Sequence, residues 1–268
     1  MKKILFITCH QFFSKNKAGF HHLANAAALN NNVYFCTAPN SLLSLANSIK
    51  KKTFKLRLRT FLSSFKVIHT NSIHISAYSS LLHDHLKLKF VGPLLKFIFL
   101  FGFCPFFNKK NQYDVIIFES SPSLFLFYRL KKRFKSAKFV YRVSDDLHTA
   151  NIGSSTNLIS YEKSILPLFD LVSTPIESLS NRIKRRSIKS KVKTNYHAID
   201  KTIFDSAKTQ KNPYSNNLNA VYVGMHSYID NVFFDIVSDL FPNIFFHVIG
   251  PVSCTPPKKN LRNYWYMD

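Results

Sequence analysis

Four residues at the end of one apolar run have the types and spacing for proton-transfer chemistry: Arg142, Ser144, Asp145 and Asp146. They lie in the segment FVYRVSDDL, Phe139–Leu147. The run that precedes them is short and rich in aromatic and β-branched residues, as a buried strand is. In open α/β sheets ligands bind where the strands reach their carboxyl ends. A carboxylate placed there can act as general base toward a hydroxyl. An arginine beside two adjacent acids can hold one of them ionised. The other reading is structural, with Asp145 or Asp146 capping the turn or helix that follows. Residue type alone leaves the two readings level.

Other chemistries find less support. There is no GxxxxGK[ST] loop and no GxGxxG, and the whole chain holds only six glycines, which argues against a glycine-rich phosphate cradle in the first half. His21-His22 and the His83/His85 pair are too close, or of the wrong spacing, to mark a metal site. Cys9, Cys36, Cys104 and Cys254 are far apart with no CxxC pair, which suits a reducing cytoplasm better than a disulfide framework.

Elements that could position these residues are readable as short apolar runs. Ile4–Thr8, Val33–Cys36, Val115–Phe118, Phe139–Val143, Leu171–Thr174, Ala220–Val223 and Ile244–Ile249 read as buried strands. Phe20–Leu29, Ser123–Phe134, Asn157–Leu166, Ile176–Lys184 and Asn231–Leu240 read as helices between them. Such alternation predicts an α/β fold with a mainly parallel sheet. It pauses in a polar stretch rich in Lys, Asn and Ser, which marks a linker over residues 199–217. An N-terminal domain over 1–198 and a second α/β domain over 218–268 follow, the second too short for a doubly wound domain of ordinary size. The opening Met1-Lys2-Lys3 and Ile4 to Thr8 lack the long apolar core of a signal peptide and read as the first strand.

The charge points to an anionic partner. Lys and Arg number 37 against 14 Asp and Glu, a formal net charge of +23. That excess suits nucleic acid, an anionic membrane or a phosphorylated substrate. No nucleic-acid reader motif accompanies it, so nucleic acid ranks well below the other two. Basic runs stand at Lys50–Arg59 and Arg182–Lys193. The segment Phe90–Phe107 is almost wholly apolar and reads either as buried core or as a monotopic face lying in the lipid interface. In the second reading Lys87, Lys89, Lys96, Lys109 and Lys110 meet lipid phosphates while Phe97, Phe99, Phe101 and Phe103 enter the acyl boundary. Pro93, Lys96 and two glycines argue against a spanning helix.

FVYRVSDDL, preceded by DVIIFES (Asp114–Ser120), resembles the GumK-like xanthan glucuronosyltransferase family, and the likeness runs nearly end to end. ITCHQFFSKNKAGFHHLA (Ile7–Ala24) is similar to that family's first strand, loop and helix. NYHAIDKTIF (Asn195–Phe204) is similar to its hinge, and AVYVGM (Ala220–Met225) with FPNIFFHVIG (Phe241–Gly250) to the start of its donor domain.

The resemblance implies a GT-B fold of two Rossmann-like domains and an inverting, membrane-associated transferase at the cytoplasmic face of the bacterial inner membrane. UDP-glucuronate would be the donor and a polyprenyl-diphosphate-linked sugar the acceptor, with no metal. It makes Asp145 the catalytic base and puts His10, His21, Glu119, Arg142, Asp146 and the hinge acid Asp200 on the acceptor side of the cleft. Met225 and Asp230 become donor-binding residues. Asp146 departs from the family, where a glycine follows the base. The sequence also stops at Tyr264-Trp265-Tyr266-Met267-Asp268, where the family continues through its donor-binding elements. The second domain is therefore expected to be incomplete, and the chain a fragment, half of a split enzyme, or a non-catalytic remnant that binds membrane or glycan.

Overall fold

A computed structural model describes residues 1–14, 17–41, 45–46, 49, 54–70, 72–80, 102–149, 156–198, 201, 205, 218–224, 231–249 and 261–264. The chain divides into two compact units, Met1–Ala198 and Ile199–Asp268.

The first unit is built on eight strands: β1 (Lys3–Thr8), β2 (Asn32–Ser41), β3 (Ile68–Thr70), β4 (Ile73–Ser80), β5 (Val115–Glu119), β6 (Lys138–Arg142), β7 (Leu171–Thr174) and β8 (Val192–Thr194). Their order in the sheet is β3-β4-β2-β1-β5-β6-β7-β8. Every pairing is parallel except β3 with β4 at one edge. This is the mainly parallel α/β sheet that the alternating runs predict, and β6 lies inside it between β5 and β7.

Side chains on a strand alternate between the two faces of a sheet, and β1 shows the consequence. Leu5 and Ile7 enter one core while Ile4 and Phe6 face the other. Helix α1 (Gly19–Ala28) covers the second face with Phe20 and Ala24. On the first face lie a 3-10 turn (Pro122–Leu126), α3 (Phe127–Arg133), α4 (Thr156–Ile165) and α5 (Glu177–Arg186). They contribute Leu124, Phe127, Leu130, Leu158, Ile165, Leu179 and Ile183 to one continuous cluster. A fully buried side chain of this size stabilises by about 1.5–3 kcal/mol relative to exposure. Helix α2 (Phe54–Leu62) overlaps the first basic run, and its Arg59 stacks on the Phe13 ring at 3.7 Å.

Some elements differ from the sequence reading. Ser123–Phe134 is not one helix, because Pro122 opens a 3-10 turn before α3 begins. Strands β3, β4 and β8, helix α2 and a last strand over Leu261–Tyr264 are additional. Strand β4 alternates Ile73, Ile75 and Ala77 with His74, Ser76 and other polar residues, so no continuous apolar run marks it. Strand β8 carries Lys193 at the sheet edge, where lysine discourages further pairing. In the second unit β9 (Leu218–Val223), β10 (Ile244–Ile249) and β11 (Leu261–Tyr264) form a parallel sheet in the order β11-β10-β9. Helix α6 (Asn231–Leu240) packs Phe234 against Phe246 and Val248.

Most of Phe90–Phe107 lies outside the described residues. Of the remainder, Phe106 and Phe107 are core residues, whereas Phe103 is 55% exposed. Phe97, Phe99 and Phe101, which the lipid-facing reading places in the acyl boundary with Phe103, lie outside the described residues. Among the described residues no helix is long and apolar enough to cross a membrane.

Candidate functional site

The carboxyl ends of β1, β5 and β6 are adjacent, and they assemble a polar cluster around one buried acid. Glu119, the last residue of β5, is 4% exposed. A buried polar group needs partners to offset lost hydration. Glu119 finds them on both neighbouring strand ends. Thr8, closing β1, donates its hydroxyl to Oε2. Ser144, just past β6, donates Oγ to Oε1 at 3.1 Å. The His10 imidazole Nε2 lies 3.4 Å from Oε2. The hydrogen bond to Glu119 pushes the His10 pKa up despite opposing desolvation, and the charges of Glu119 and Asp145 add to the effect. The His10 backbone N–H donates to Thr8 Oγ1 at 3.0 Å, which fixes the turn out of β1.

Asp145 stands beside this cluster. Its residue is exposed, and its backbone N–H and that of Ser144 both donate to Ser120 Oγ at 3.1 Å. Among the described residues no hydrogen bond or ion pair ties down its carboxylate. A base that must reach a substrate hydroxyl needs such a free carboxylate on a fixed backbone.

Asp146 is the opposite case. Its side chain is 4% exposed, and both oxygens are occupied by Arg186 of α5, at 2.7 and 2.9 Å. Arg182 adds a contact at 3.3 Å, and the His148 N–H donates to Oδ1 at 3.1 Å. Burial raises this carboxyl, but the Arg186 and His148 hydrogen bonds and the two arginine charges outweigh it and hold the pKa below its usual value. Asp146 therefore locks the turn after β6 onto α5 and is not offered to solvent with its neighbour.

The remaining residues singled out in the sequence divide three ways. His21 is 1% exposed and structural in its contacts. Its Nδ1 accepts the Ala18 N–H at 3.0 Å, its Nε2 faces the Gln11 carbonyl at 3.2 Å, and its ring stacks on Phe35. An accepting Nδ1 leaves the proton on Nε2, and desolvation, which lowers its pKa, favours the same neutral ring. Arg142 sits opposite Glu119 in the β5–β6 register but turns toward β7 and β8, donating to Ser173 Oγ at 2.9 Å and the Asn195 carbonyl at 2.8 Å. Asp200, Met225 and Asp230 lie outside the described residues.

Thr8, Cys9 and Ser120 belong to the cluster and carried no signal in the sequence beyond their position at the ends of apolar runs. Cys9 is exposed, yet its thiol is pushed up to about 12, by desolvation first and then by the Glu119 and Asp145 charges. Ligand atoms of Cys9, His10 and Glu119 lie within 4.8 Å of one another.

The mainly parallel α/β fold of the chain is similar to that of known GT-B structures. The chain is similar to trehalose-6-phosphate synthase OtsA, with a TM-score of 0.60 at 10% identity over 99% of this chain and 74% of that one. It is also similar to an E. coli structure described as bound with UDP-2-fluoro glucose, with a TM-score of 0.55 at 11% identity over 93% and 65% of the two chains. These likenesses define the class, a GT-B α/β fold. The family is narrower: the model of glucuronosyltransferase GumK, N-terminal domain, matches residues 6–175, and the chain belongs to that family. Over 252 residues it is 25% identical to UDP-glucuronate:glycolipid 2-beta-glucuronosyltransferase of Xanthomonas campestris pv. campestris, covering 92% of this chain and 59% of that protein. The chain thus spans about three fifths of that relative's length.

Proposed function

We propose that the chain supplies the acceptor-binding side of an inverting glycosyltransferase with Asp145 as general base. The observation that carries this reading is the pairing of a free carboxylate at Asp145 with a backbone pinned by Ser120, at the carboxyl end of an interior strand. Asp145 takes the proton of an acceptor sugar hydroxyl. The oxygen attacks the anomeric carbon of a UDP-sugar, the bond to the diphosphate breaks, and UDP leaves. Family membership and the Xanthomonas relative favour UDP-glucuronate as donor and a glycolipid as acceptor, which we assign to the polyprenyl-diphosphate-linked sugars. No metal cofactor is required where helix N-termini and basic side chains stabilise the leaving diphosphate.

The acceptor's lipid places the chain at an anionic membrane surface, on the cytoplasmic face. Supporting this, Leu62, Phe65 and Phe103 are each more than half exposed, and the Phe65 and Phe103 rings stack at 6.2 Å. Lys66, Lys109 and Lys110 are exposed on the same unit. The test is a chimera joining residues 1–198 to the donor half of the Xanthomonas relative. Asp145→Asn should abolish transfer from UDP-glucuronate to a lipid-linked acceptor and leave the fold intact. Transfer at the unsubstituted rate would sink the assignment.

A further inference from the structure

We propose that Cys9, His10 and Glu119 form a binding site for a thiophilic divalent cation, with zinc the fitting ion. The three donors are a thiol, an imidazole and a carboxylate within 4.8 Å of one another, the mixture that zinc sites use. The geometry is close to what the ion requires. Zinc–nitrogen and zinc–oxygen bonds near 2.0–2.1 Å at tetrahedral angles set the two ligand atoms about 3.3 Å apart, and zinc–sulfur bonds near 2.3 Å set sulfur about 3.6 Å from nitrogen. His10 Nε2 and Glu119 Oε2 already stand 3.4 Å apart. The remaining adjustment falls to Cys9, in the turn after β1.

Two further features make this more than three nearby side chains. Glu119 is nine-tenths buried, and its carboxylate is held on both oxygens, by Thr8 and Ser144. Metal-ligating carboxylates are oriented by such supporting hydrogen bonds. Among the described residues three side chains gather here, leaving a fourth position for water, with Asp145 near enough for its charge to act on both Cys9 and His10. Three protein ligands with one open position is the arrangement of zinc sites that hold a water or a substrate atom, whereas a structural site is closed by four. On binding, the thiol loses its proton to solvent as the sulfur–zinc bond forms, so charge and atoms balance with no redox partner.

The experiment uses the whole chain. Zinc affinity is measured by competition with a chromophoric chelator, and cobalt(II) replaces zinc to report a sulfur ligand through its thiolate charge-transfer band. The unsubstituted chain should bind one zinc with a thiolate–cobalt band. Cys9→Ser should abolish the band and weaken zinc binding by more than ~100-fold, and His10→Ala should weaken it similarly. Ser144→Ala, which removes only a hydrogen bond to the Glu119 ligand, should cost ~10–100-fold. Circular dichroism checks each variant for folding. Cys36, Cys104 and Cys254 stay in every variant, so a band that survives Cys9→Ser would move the ion to one of these and overturn the proposal. Failure of the unsubstituted chain to bind zinc would overturn it as well. Neither result depends on transfer activity, so the assignment of Asp145 stands or falls separately.

Discussion

Removing the Asp146 carboxylate should unfasten the turn after β6 and leave the neighbouring Asp145 substitution almost silent in stability. Asp146 is 4% exposed and Arg186 18%, so the pair belongs to the buried regime and not to the surface one. Breaking a buried pair by deleting one partner costs about 3–5 kcal/mol, chiefly because the other charge is stranded. Arg186 and the 43%-exposed Arg182 can recover some hydration, which reduces the expected loss for Asp146→Ala to about 2–4 kcal/mol. In a unit of this size that is a fall in Tm of roughly 5–15 °C. The pH dependence has a definite sign. Because the folded carboxyl titrates below its usual value, its contribution is present above the unfolded pKa of about 3.9 and is lost as pH falls through the folded value. The gap between the unsubstituted chain and Asp146→Ala should therefore close as pH drops below about 4. Asp145→Asn, at an exposed residue, should stay within about 0.5 kcal/mol of the unsubstituted chain. Urea denaturation at neutral and acid pH measures all three quantities. A loss under 1 kcal/mol for Asp146→Ala, or an equal loss for Asp145→Asn, would refute the division of roles between the two acids.

Two further outcomes test other parts of the structure. Tyr141→Phe removes a hydroxyl that donates to Glu162 Oε1 at 2.5 Å, with both residues fully buried, and leaves that acid with the His148 contact at 3.4 Å. The cost should be about 1–3 kcal/mol in denaturant unfolding, and a neutral result would mean that Glu162 is satisfied some other way. The chain should bind anionic liposomes and release them as salt rises, and Phe65→Ser or Phe103→Ser should weaken that binding. Binding that ignores both salt and lipid charge would remove the membrane-surface assignment.

The strands were legible where both faces of the sheet are covered, because burial on two sides demands a continuous apolar run, as at Ile4–Ile7 and Val115–Phe118. They were not legible where polar residues interleave or lysine guards an edge, as at Ile73–Ser80 and Val192–Thr194. The SDDL motif marked the site but could not separate its two acids. What separates them is Arg186, on a helix forty residues later, and no local pattern shows which of two adjacent carboxylates that helix will meet. The network around Glu119 was hidden for the same reason. Its hydrogen-bonding partners are 111 residues before it and 25 after it, brought together only by the sheet order β1-β5-β6.

That network bears on how the cluster should be understood. A sheet selected for stability alone gains nothing by placing a carboxyl group among strand ends, since an apolar residue of similar volume stabilises as well or better. Here the acid is buried and held by a threonine, a serine and an imidazole, at the end of the sheet where ligands bind in folds of this kind. A Glu119 that only filled space would leave Ser144 and His10 free to drift. Instead it ties the residue before Asp145 to the turn after β1, and Ser120 holds the Asp145 backbone from the other side. The free carboxylate of Asp145 is thereby mounted on a backbone with fixed attachments to two strands. Tight mounting with a free reactive group is the condition under which a base keeps its distance to an acceptor hydroxyl. It is also the reason that a substitution at Glu119 should disturb the placement of Asp145 even though the two side chains share no hydrogen bond.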